Sequence, residues 1–530
     1  MKLFPLIGAL ALVARTAPAQ GPATLTPRDS ALHALNRLAY GPRPGEVERV
    51  AGMGVLNWID AQLQPDRIPD PVLAAKERAF PLLRMSRQDL ADAYTAAQRA
   101  RRARLADSMS RTAASPADPD PAAMTPEVRQ ARRLAGELQE VAVVRAALSE
   151  RQLEEVMVDF WTNHFNVSLT KGADRFLLPD YVEHVIRPHA LGKFRDLLIA
   201  TARSPAMMFY LDNWESVAPG SEPPRGGGRR GAGGKARPQG INENYARELL
   251  ELHTLGVDGG YTQDDVINVA RVLTGWGITP PRQGADFAYR DWAHDRGAKV
   301  VMGVPYPAGG GEDEGRSLLS WLASQHATMH HVSRQLCARF VADDPPDGCV
   351  DDAVAAWERS DGDIREILRA IFHGPDFWAP ANLNNKVKTP LEFLVSAVRA
   401  VSADPDSTPR LAQVVARLGE PLYQHVAPDG YPERQDDWVT SGALLARMNA
   451  AVAIAAGRLP GVTVDLDSVV PPAPDPDTLL DRINARVLGG AMSAHTRSVI
   501  RDELADLRDP AARRSFAVGL ALGGPDFQKQ

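Results

Sequence analysis

The residues best able to do chemistry lie in a charged segment between Glu243 and Gly256. If this segment is a helix that turns about 100° per residue, its polar residues share one arc and its apolar residues the other. His253 falls among the apolar residues, where it needs a polar partner or titrates abnormally, because burying an unpaired polar ring costs free energy. The polar arc contains Asn244, Arg247, Glu248 and Glu251.

Two further histidines have a comparable setting. His164 continues an apolar stripe through Leu153, Met157 and Phe160, so it also lies on an apolar helix face. Two histidines on apolar faces suggest one shared buried polar site. A third, His294, precedes Asp295, whose carboxylate could orient the imidazole or join it in binding a metal.

Two histidines with one or two carboxylates suit a Zn²⁺, Mn²⁺ or Fe²⁺ site, or acid/base chemistry without a metal. The spacing of these residues matches no diagnostic metal-binding motif, so the prediction of a metal site depends on the residue types alone. The predicted catalytic residues are His164, Glu248, His253 and His294, and the predicted metal ligands are His164, His253, His294 and Asp295. The predicted substrate-binding residues are Asn163, Asn244, Arg247, Arg271 and Trp276.

Structural explanations compete with these roles. The acidic arc could be a solvated face with i,i+4 ion pairs, each worth a few tenths of a kcal/mol. His253 could be a satisfied core histidine near a helix C-terminus. His330 and His331 precede the helix of Cys337 and are expected to be an exposed cap pair. Arg247 and Arg271 could hold an anionic substrate group or orient the carboxylates.

Helical periodicity dominates the elements that must position these residues, and alternating patterns are scarce. Gly256 is a natural helix stop, and Thr262 to Asp265 resembles a capping box for a helix through Leu273. The two helices should form a hairpin. The fold class is therefore mainly α: a large multi-helix domain built from helical hairpins, with two low-complexity insertions.

The sequence divides into segments by composition. Residues 1–20 combine Lys2, an apolar run and Ala17-Pro18-Ala19, which is typical of a signal peptide cleaved near Ala19. The remaining segments are an N-terminal helical segment (21–105), a low-complexity linker (106–126), a central helical core (127–400) with a mobile Gly/Arg loop (218–240), and a C-terminal helical segment (401–530) packed on the core.

The net charge and the hydropathy of the chain restrict its possible partners. The net charge of −6 includes Lys2 and Arg15, so loss of the signal peptide leaves −8, which argues against a nucleic-acid partner. No apolar run reaches the roughly 18 residues of a transmembrane helix. We therefore expect a soluble protein that is periplasmic or secreted.

The two cysteines, Cys337 and Cys349, leave two alternatives open. In an oxidising compartment they could close a short loop, which would stabilise the fold by ~3 kcal/mol in the chain-entropy model. They could instead be two independent buried thiols.

Several blocks together resemble a known bacterial family, the exported proteins catalogued as domain of unknown function 1800. The resemblance covers about Leu32 to Phe527 and implies export, without naming a reaction. It also implies a possible exported partner similar to phosphatases and sulfatases. One departure is Tyr431, where the family usually has the Trp of a Gly-Trp-Pro segment. The matching blocks are 160–165, 243–256, 260–263, 273–276, 294–295 and 388–393.

The leading hypothesis is an extracytoplasmic enzyme or enzyme subunit, a hydrolase or lyase that processes an envelope glycan or other polymer through the His/Glu site. A first alternative is a scaffold without catalytic activity that docks the phosphatase- or sulfatase-like partner through the acidic arc and the Gly/Arg loop. A second is a structural protein that binds a divalent metal.

Overall fold

The computed structural model describes residues 25–110, 125–222 and 240–530. The predicted signal peptide, most of the predicted linker and most of the Gly/Arg loop lie outside the described residues. Within them the mainly α prediction is confirmed, because the strands are few and short. None of the described helices combines the length and the apolar character that crossing a bilayer requires.

The described residues between 27 and 272 form thirteen α-helices, interrupted by π-helical segments at Tyr181–Ile186 and Leu249–Thr254. They are α1 (Pro27–Arg37), α2 (Glu46–Met53), α3 (Val55–Gln62), α4 (Pro71–Glu77), α5 (Arg87–Ser110), α6 (Pro126–Leu148), α7 (Gln152–His164), α8 (Asp174–Asp180), α9 (Arg187–His189), α10 (Phe194–Arg203), α11 (Pro205–Tyr210), α12 (Asn244–Glu248) and α13 (Gln263–Val272).

The second half of the chain continues in the same style, after two short hairpins. The helices are α14 (Glu312–Ala323), α15 (His326–Phe340), α16 (Asp347–Ser360), α17 (Ile364–His373), α18 (Pro390–Ala400), α19 (Arg410–Arg417), α20 (Gln435–Trp438), α21 (Ser441–Ala455), α22 (Leu466–Val469), α23 (Pro476–Arg486), α24 (Ala494–Glu503), α25 (Pro510–Gly523) and α26 (Pro525–Gln528).

The strands form three antiparallel pairs in the described part of the chain. Each pair is a two-stranded ribbon, too small to form a layer of its own. The pairs are β1 (Trp276–Ile278) with β2 (Phe287–Tyr289), β3 (Lys299–Val301) with β4 (Val304–Tyr306), and β5 (Asp404–Pro405) with β6 (Val462–Thr463).

Local sequence explains where several helices begin and end. The predicted capping box at Thr262 is present, because its hydroxyl accepts from Asp265 N and the Asp265 carboxylate accepts from Thr262 N. The predicted hairpin follows, with α12 packed on α13. Helix α5 continues to Ser110 through an Arg- and Ala-rich stretch of high helix propensity.

One hydrophobic core runs from Ala31 to Phe527 and joins the N-terminal, central and C-terminal helices. The end of the chain is fastened to the segment before α18. Gln530 N donates to Lys386 O at 2.9 Å, and Lys388 N donates to Gln528 O at 2.9 Å. The C-terminal residues therefore support α18 directly.

Helix α7 passes through this core, with Val156, Met157 and Trp161 fully buried. Helix α15 is joined to α16 by a disulfide between Cys337 and Cys349. Helices α7 and α15 carry most of the polar side chains of the candidate sites. The positions of α7 and α15 therefore decide the geometry of these sites.

The disulfide generates a stability prediction. Replacing Cys337 and Cys349 together with Ser should lower the free energy of unfolding by about 3 kcal/mol, because the unfolded chain gains the freedom of a loop that is closed in the native protein. Urea unfolding under oxidising conditions measures the difference. The control is wild-type protein in excess reductant, which should match the double variant; equal stability of all three would contradict the prediction.

Candidate functional site

The predicted helix from Glu243 to Gly256 is only partly α-helical. It changes at Leu249 into a π-helical segment, in which Leu255 N donates to Leu250 O at 2.9 Å, five residues back. His253 lies in this segment and is 1% exposed, on the apolar side that the periodicity predicts. π-Helical turns inside α-helices are rare and frequent at functional sites.

The structure brings His164 and His253 together. The Nε2 atom of His164 lies 3.3 Å from the His253 carbonyl oxygen, and the two ring centroids are 6.1 Å apart. The His253 Nε2 atom is buried without a hydrogen-bond partner. The shared buried polar site inferred from two apolar helix faces is therefore present.

The third histidine of this site is His331, which was expected to be an exposed cap residue. It is half-buried inside α15, with Nε2 at 3.3 Å from Leu252 O and 3.3 Å from the Gln335 side-chain nitrogen. A Cβ on Gly256 would lie 2.8 Å from His331 Nδ1, and Gly256 has a φ of +83°. Glycine is therefore needed there both for its backbone and for the close approach of the ring.

Burial keeps this histidine cluster neutral. It lowers the pKa of His164 to about 4 and that of His253 well below its ordinary value, and each effect is reinforced by a neighbouring histidine. Burial lowers the pKa of His331 as well. Three neutral imidazoles without a carboxylate partner are a weak arrangement for acid/base chemistry near neutral pH.

Glu248 is not part of the histidine cluster. Burial raises the pKa of its carboxyl group, and Glu251 and Asp429 raise it further while Arg247 opposes them. Asn244 is exposed. Arg247 lies 3.6 Å from Glu243 and donates to Gln263 Oε1 at 2.9 Å, so it joins α12 to α13.

His294 lies among other partners. Its Nδ1 is 2.9 Å from Thr274 O and its Nε2 is 3.3 Å from Glu314 Oε2. Lys299 Nζ lies 2.8 Å from the same Glu314 oxygen, so this histidine belongs to a buried network with a lysine and a glutamate. The His294 ring contacts Tyr289, Thr274 and Glu314, whereas the His164 and His253 rings contact each other, so the structure does not bring His294 into their cluster.

The neighbouring predicted residues have structural partners. Arg271 holds Asp295 in a two-point ion pair, with N–O distances of 2.8 and 3.1 Å, and so orients a carboxylate as one of its two predicted roles. Trp276 is fully buried, and a Cβ on Gly315 would lie 2.3 Å from its ring. Trp276 is closed off from any substrate.

The predicted metal set is not assembled. No three His, Cys, Asp or Glu side chains of residues 25–110, 125–222 and 240–530 are grouped as ligands for one ion. His294 and Asp295 face Glu314 and Arg271, while His164 and His253 face each other and α15. The divalent metal therefore has no ligand set among these histidines.

A different site is lined by Asp159, Thr162 and Asn163 of α7. Asp159 and Arg339 line a cavity of about 50 Å³ together with Glu420 and Glu433. We call it the carboxylate cavity. Its remaining lining includes Thr162, Asn163, Asn166, Thr389, Tyr423, Tyr431 and Trp438.

Within the described part of the chain, Arg339 is the one guanidinium that lines this cavity. It is 4% exposed, forms an ion pair with Glu392, and lies 4.0 Å from Glu433. Burial lowers the pKa of Arg339, but Glu392, Glu433 and Asp159 more than offset this and raise it. Burial raises the pKa of Glu392, yet Arg339 and three hydrogen bonds bring it down to about 2.

Asp159 and Glu420 hold their protons more strongly than ordinary carboxyl groups, because burial disfavours the charged forms. Burial raises the pKa of Asp159 to about 7 against the attraction of Arg339. Burial also raises the pKa of Glu420 to about 8, assisted by repulsion from Asp159 and opposed by a hydrogen bond from Leu391 N. Two carboxyl groups that exchange protons near neutral pH can act as a general acid and a general base.

Asn163 shapes the wall of this cavity. Its Nδ2 donates to Tyr431 O at 2.8 Å, and its Oδ1 accepts from Tyr431 N at 2.7 Å. Gly430 has a φ of +75°, and a Cβ there would lie 2.5 Å from Asn163 O. Asn163 was predicted to bind substrate, but its amide is occupied in fastening the 430–433 segment over α7.

Tyr431 replaces the usual Trp of the Gly-Trp-Pro segment. Its hydroxyl donates to Pro421 O at 2.8 Å, next to Glu420. Tyr431 thus closes the cavity by tying two loop segments together. This departure from the family pattern therefore lies in the wall of the cavity.

Sequence patterns could have identified the carboxylate cavity. Asp159 interrupts the apolar run from Val156 to Trp161, and Glu392 lies between Leu391 and Phe393. An acid enclosed by large apolar neighbours on a helix is expected to be buried, and buried acids require partners. The partner, Arg339, lies 180 residues beyond Asp159 and carries no local signal.

Asp159 generates a prediction about pH and stability. Between its unfolded pKa of 3.8 and its folded pKa of about 7, the folded protein holds a proton that the unfolded chain has released. Stability should therefore fall as pH rises through this window. Asp159→Asn removes that decline and should be more stable than wild type at pH 8, by on the order of 1–3 kcal/mol.

Urea unfolding at pH 5 and pH 8 measures this difference. The matched control is Asp437→Asn, because Asp437 is exposed. Parallel pH dependence in Asp159→Asn and wild type would contradict the prediction.

His164 should act in the opposite direction. Its folded pKa of about 4 lies below the unfolded value of 6.5, so the unfolded chain takes up a proton first as pH falls. Stability is lost from about pH 6.5 down to about pH 4. His164→Gln should lose less stability between pH 7 and pH 5 than wild type, as melting temperatures would show, whereas His330→Gln should behave like wild type.

Comparisons with known proteins give one match. The family model described as "Protein of unknown function (DUF1800)" matches residues 33–529. Neither the curated proteins nor the solved structures contain a match to this chain. Since the family model covers nearly the whole sequence, the chain belongs to the DUF1800 family.

Proposed function

We propose that this protein is an acid/base enzyme, a hydrolase or lyase, whose reacting group enters the carboxylate cavity. The single observation that carries the proposal is the Asp159 carboxyl group, with a pKa of about 7, lining a cavity beside a buried guanidinium. Strongly shifted carboxyl groups in a cavity with a fixed opposite charge are typical of functional sites.

The residues divide into roles by their charge. Asp159 is the proton-transferring group, because it holds and releases a proton near neutral pH. Arg339 is a fixed cation that would stabilise negative charge developing on a substrate oxygen. Glu420 stays largely protonated below about pH 8 and supplies a second acid. Glu392 holds the guanidinium in place through their ion pair.

The size of the cavity limits what reacts there. About 50 Å³ accommodates a small polar group and a few water molecules. A polymer would therefore place one end group or side group inside and leave its bulk on the surface. The cavity-lining residue Glu433 and its exposed neighbour Arg434 form the polar surface for that bulk.

The proposed substrate is an envelope glycan or another extracytoplasmic polymer. Support comes from the signal-peptide pattern at the N-terminus, because an exported hydrolase or lyase has such polymers available. The histidine cluster is assigned a structural role in this proposal, since its members are neutral and enclosed.

The test compares variants on purified envelope polymers. Asp159→Asn should lower kcat by about 10²–10⁴-fold, because it removes the transferable proton without changing the side-chain shape. Arg339→Lys should also lose most activity, because the ammonium group of lysine lacks the planar, forked set of donors with which the guanidinium pairs with Glu392. Release of reducing ends, or of unsaturated products, measures turnover.

Two controls separate this site from the histidine cluster. Asp437→Asn should retain wild-type turnover, because that carboxylate is exposed at the surface. His253→Gln should keep most of the activity if the protein stays folded, as judged by circular dichroism. Full activity in Asp159→Asn, together with complete loss in a folded His253→Gln, would overturn the assignment and favour the histidines.

The scaffold alternative predicts different experimental results. A protein that only docks an exported phosphatase- or sulfatase-like partner would turn over no polymer. It would bind that partner equally well as wild type and as Asp159→Asn. Pull-down from a periplasmic fraction, combined with the turnover assay, distinguishes the two roles.

A further inference from the structure

A second and much larger cavity lies apart from the carboxylate cavity and shares no lining residue with it. Its volume is about 690 Å³, and it is bounded by α5, α8 and the β1–β2 ribbon. Cavities of roughly 300–1,000 Å³ with mainly apolar walls are the usual form of small-molecule sites. We call it the aromatic cavity; its large walls are Tyr94, Phe176, Phe209, Trp214, Ile278 and Trp292.

The sequence keeps this space open with small residues between the rings. Ala91, Ala173, Ala285 and Ala288 all line it. The Phe209 and Trp214 rings are stacked, with centroids 5.8 Å apart and planes at 16°. Trp292 is 36% exposed and lies at the surface. The cavity therefore has a firm aromatic wall and an accessible side.

Among the residues that the structure describes, one charged group lines the aromatic cavity, the guanidinium of Arg290. It donates to Trp214 O at 3.1 Å and to Ile278 O at 2.8 Å, which uses two of the five N–H groups of an arginine. A Cβ on Gly277 would lie 2.7 Å from Arg290 Cζ, so the missing side chain at Gly277 makes room for the guanidinium.

Arg290 is half-buried and differs in its neighbours from two buried arginines, Arg339 and Arg399. Arg339 and Arg399 are each paired with a glutamate. Burial alone lowers the pKa of Arg290, without a carboxylate among the described residues to raise it. A cation held by neutral carbonyl groups next to an apolar space lacks a counter-charge, and an anionic ligand would supply one.

We propose that the aromatic cavity binds a small amphipathic acid, a molecule with an apolar body and one carboxylate. The apolar body lies against Phe209, Trp214 and the alanines, and the carboxylate accepts hydrogen bonds from Arg290. This binding site is separate from the proposed acid/base site and does not depend on it.

Dodecanoate below its micelle concentration is the probe, and dodecanol is its uncharged counterpart. Isothermal titration calorimetry with the full-length protein should show dodecanoate binding at least tenfold more tightly than dodecanol. Tryptophan fluorescence should change on binding, because Trp214 and Trp292 line the cavity. Dodecanol binding as tightly as dodecanoate, or no dodecanoate binding at all, would overturn the proposal.

Variants distinguish the contribution of the Arg290 charge to binding from that of the cavity volume. Arg290→Gln should weaken dodecanoate at least tenfold and leave dodecanol unchanged, while Arg290→Lys should give an intermediate affinity. The matched control is Arg282→Gln, because Arg282 is exposed and does not line the cavity. Ala288→Phe should fill the space and weaken both probes without removing the guanidinium.

Circular dichroism and melting temperature identify any variant that fails to fold. If Arg290→Gln unfolds, the dodecanoate affinities of Arg290→Lys and Ala288→Phe test the proposal instead. Unchanged dodecanoate affinity in folded Arg290→Gln, or in both of these other variants, would overturn the proposal.

Discussion

The buried ion pair between Arg339 and Glu392 is the interaction on which the polar centre of this protein depends. Removing two charges from water is costly unless each has close partners, and breaking such a pair leaves an uncompensated charge in the core. Glu392 therefore receives further support, because its Oε2 atom accepts from Thr389 N at 2.8 Å and from Gln530 Nε2 at 2.9 Å. The helix cap and the end of the chain thus hold one carboxylate in place.

This arrangement explains why neighbouring acids behave differently in the same environment. Glu392 is ionised because it has the guanidinium and two further hydrogen bonds, whereas Asp159 and Glu420 lack a comparable partner and keep their protons near neutral pH. The protein thus combines a permanent buried charge with two exchangeable protons around one small cavity. That combination underlies the acid/base role proposed above.

The histidine cluster and the carboxylate cavity share the same two helices. Helix α7 carries Asp159 and His164, and α15 carries His331 and Arg339. The disulfide at Cys337 holds α15 within two residues of Arg339. Substitutions in the neutral histidine cluster can therefore disturb the carboxylate cavity by shifting α7 or α15. For this reason the pH dependence of a variant's activity is more informative about the role of a residue than loss of activity alone.

Local sequence patterns were sufficient to predict the helical class, the capping box at Thr262, the burial of His164 and His253, and the family. These properties depend on local periodicity and on motifs within a few residues, where sequence spacing translates directly into geometry. Which distant side chains meet depends on tertiary packing, which brings His331 rather than His294 beside His253, and Arg339 beside Asp159. The partners of a buried charge come from segments far apart in the chain, and periodicity carries no information about which helix packs against which.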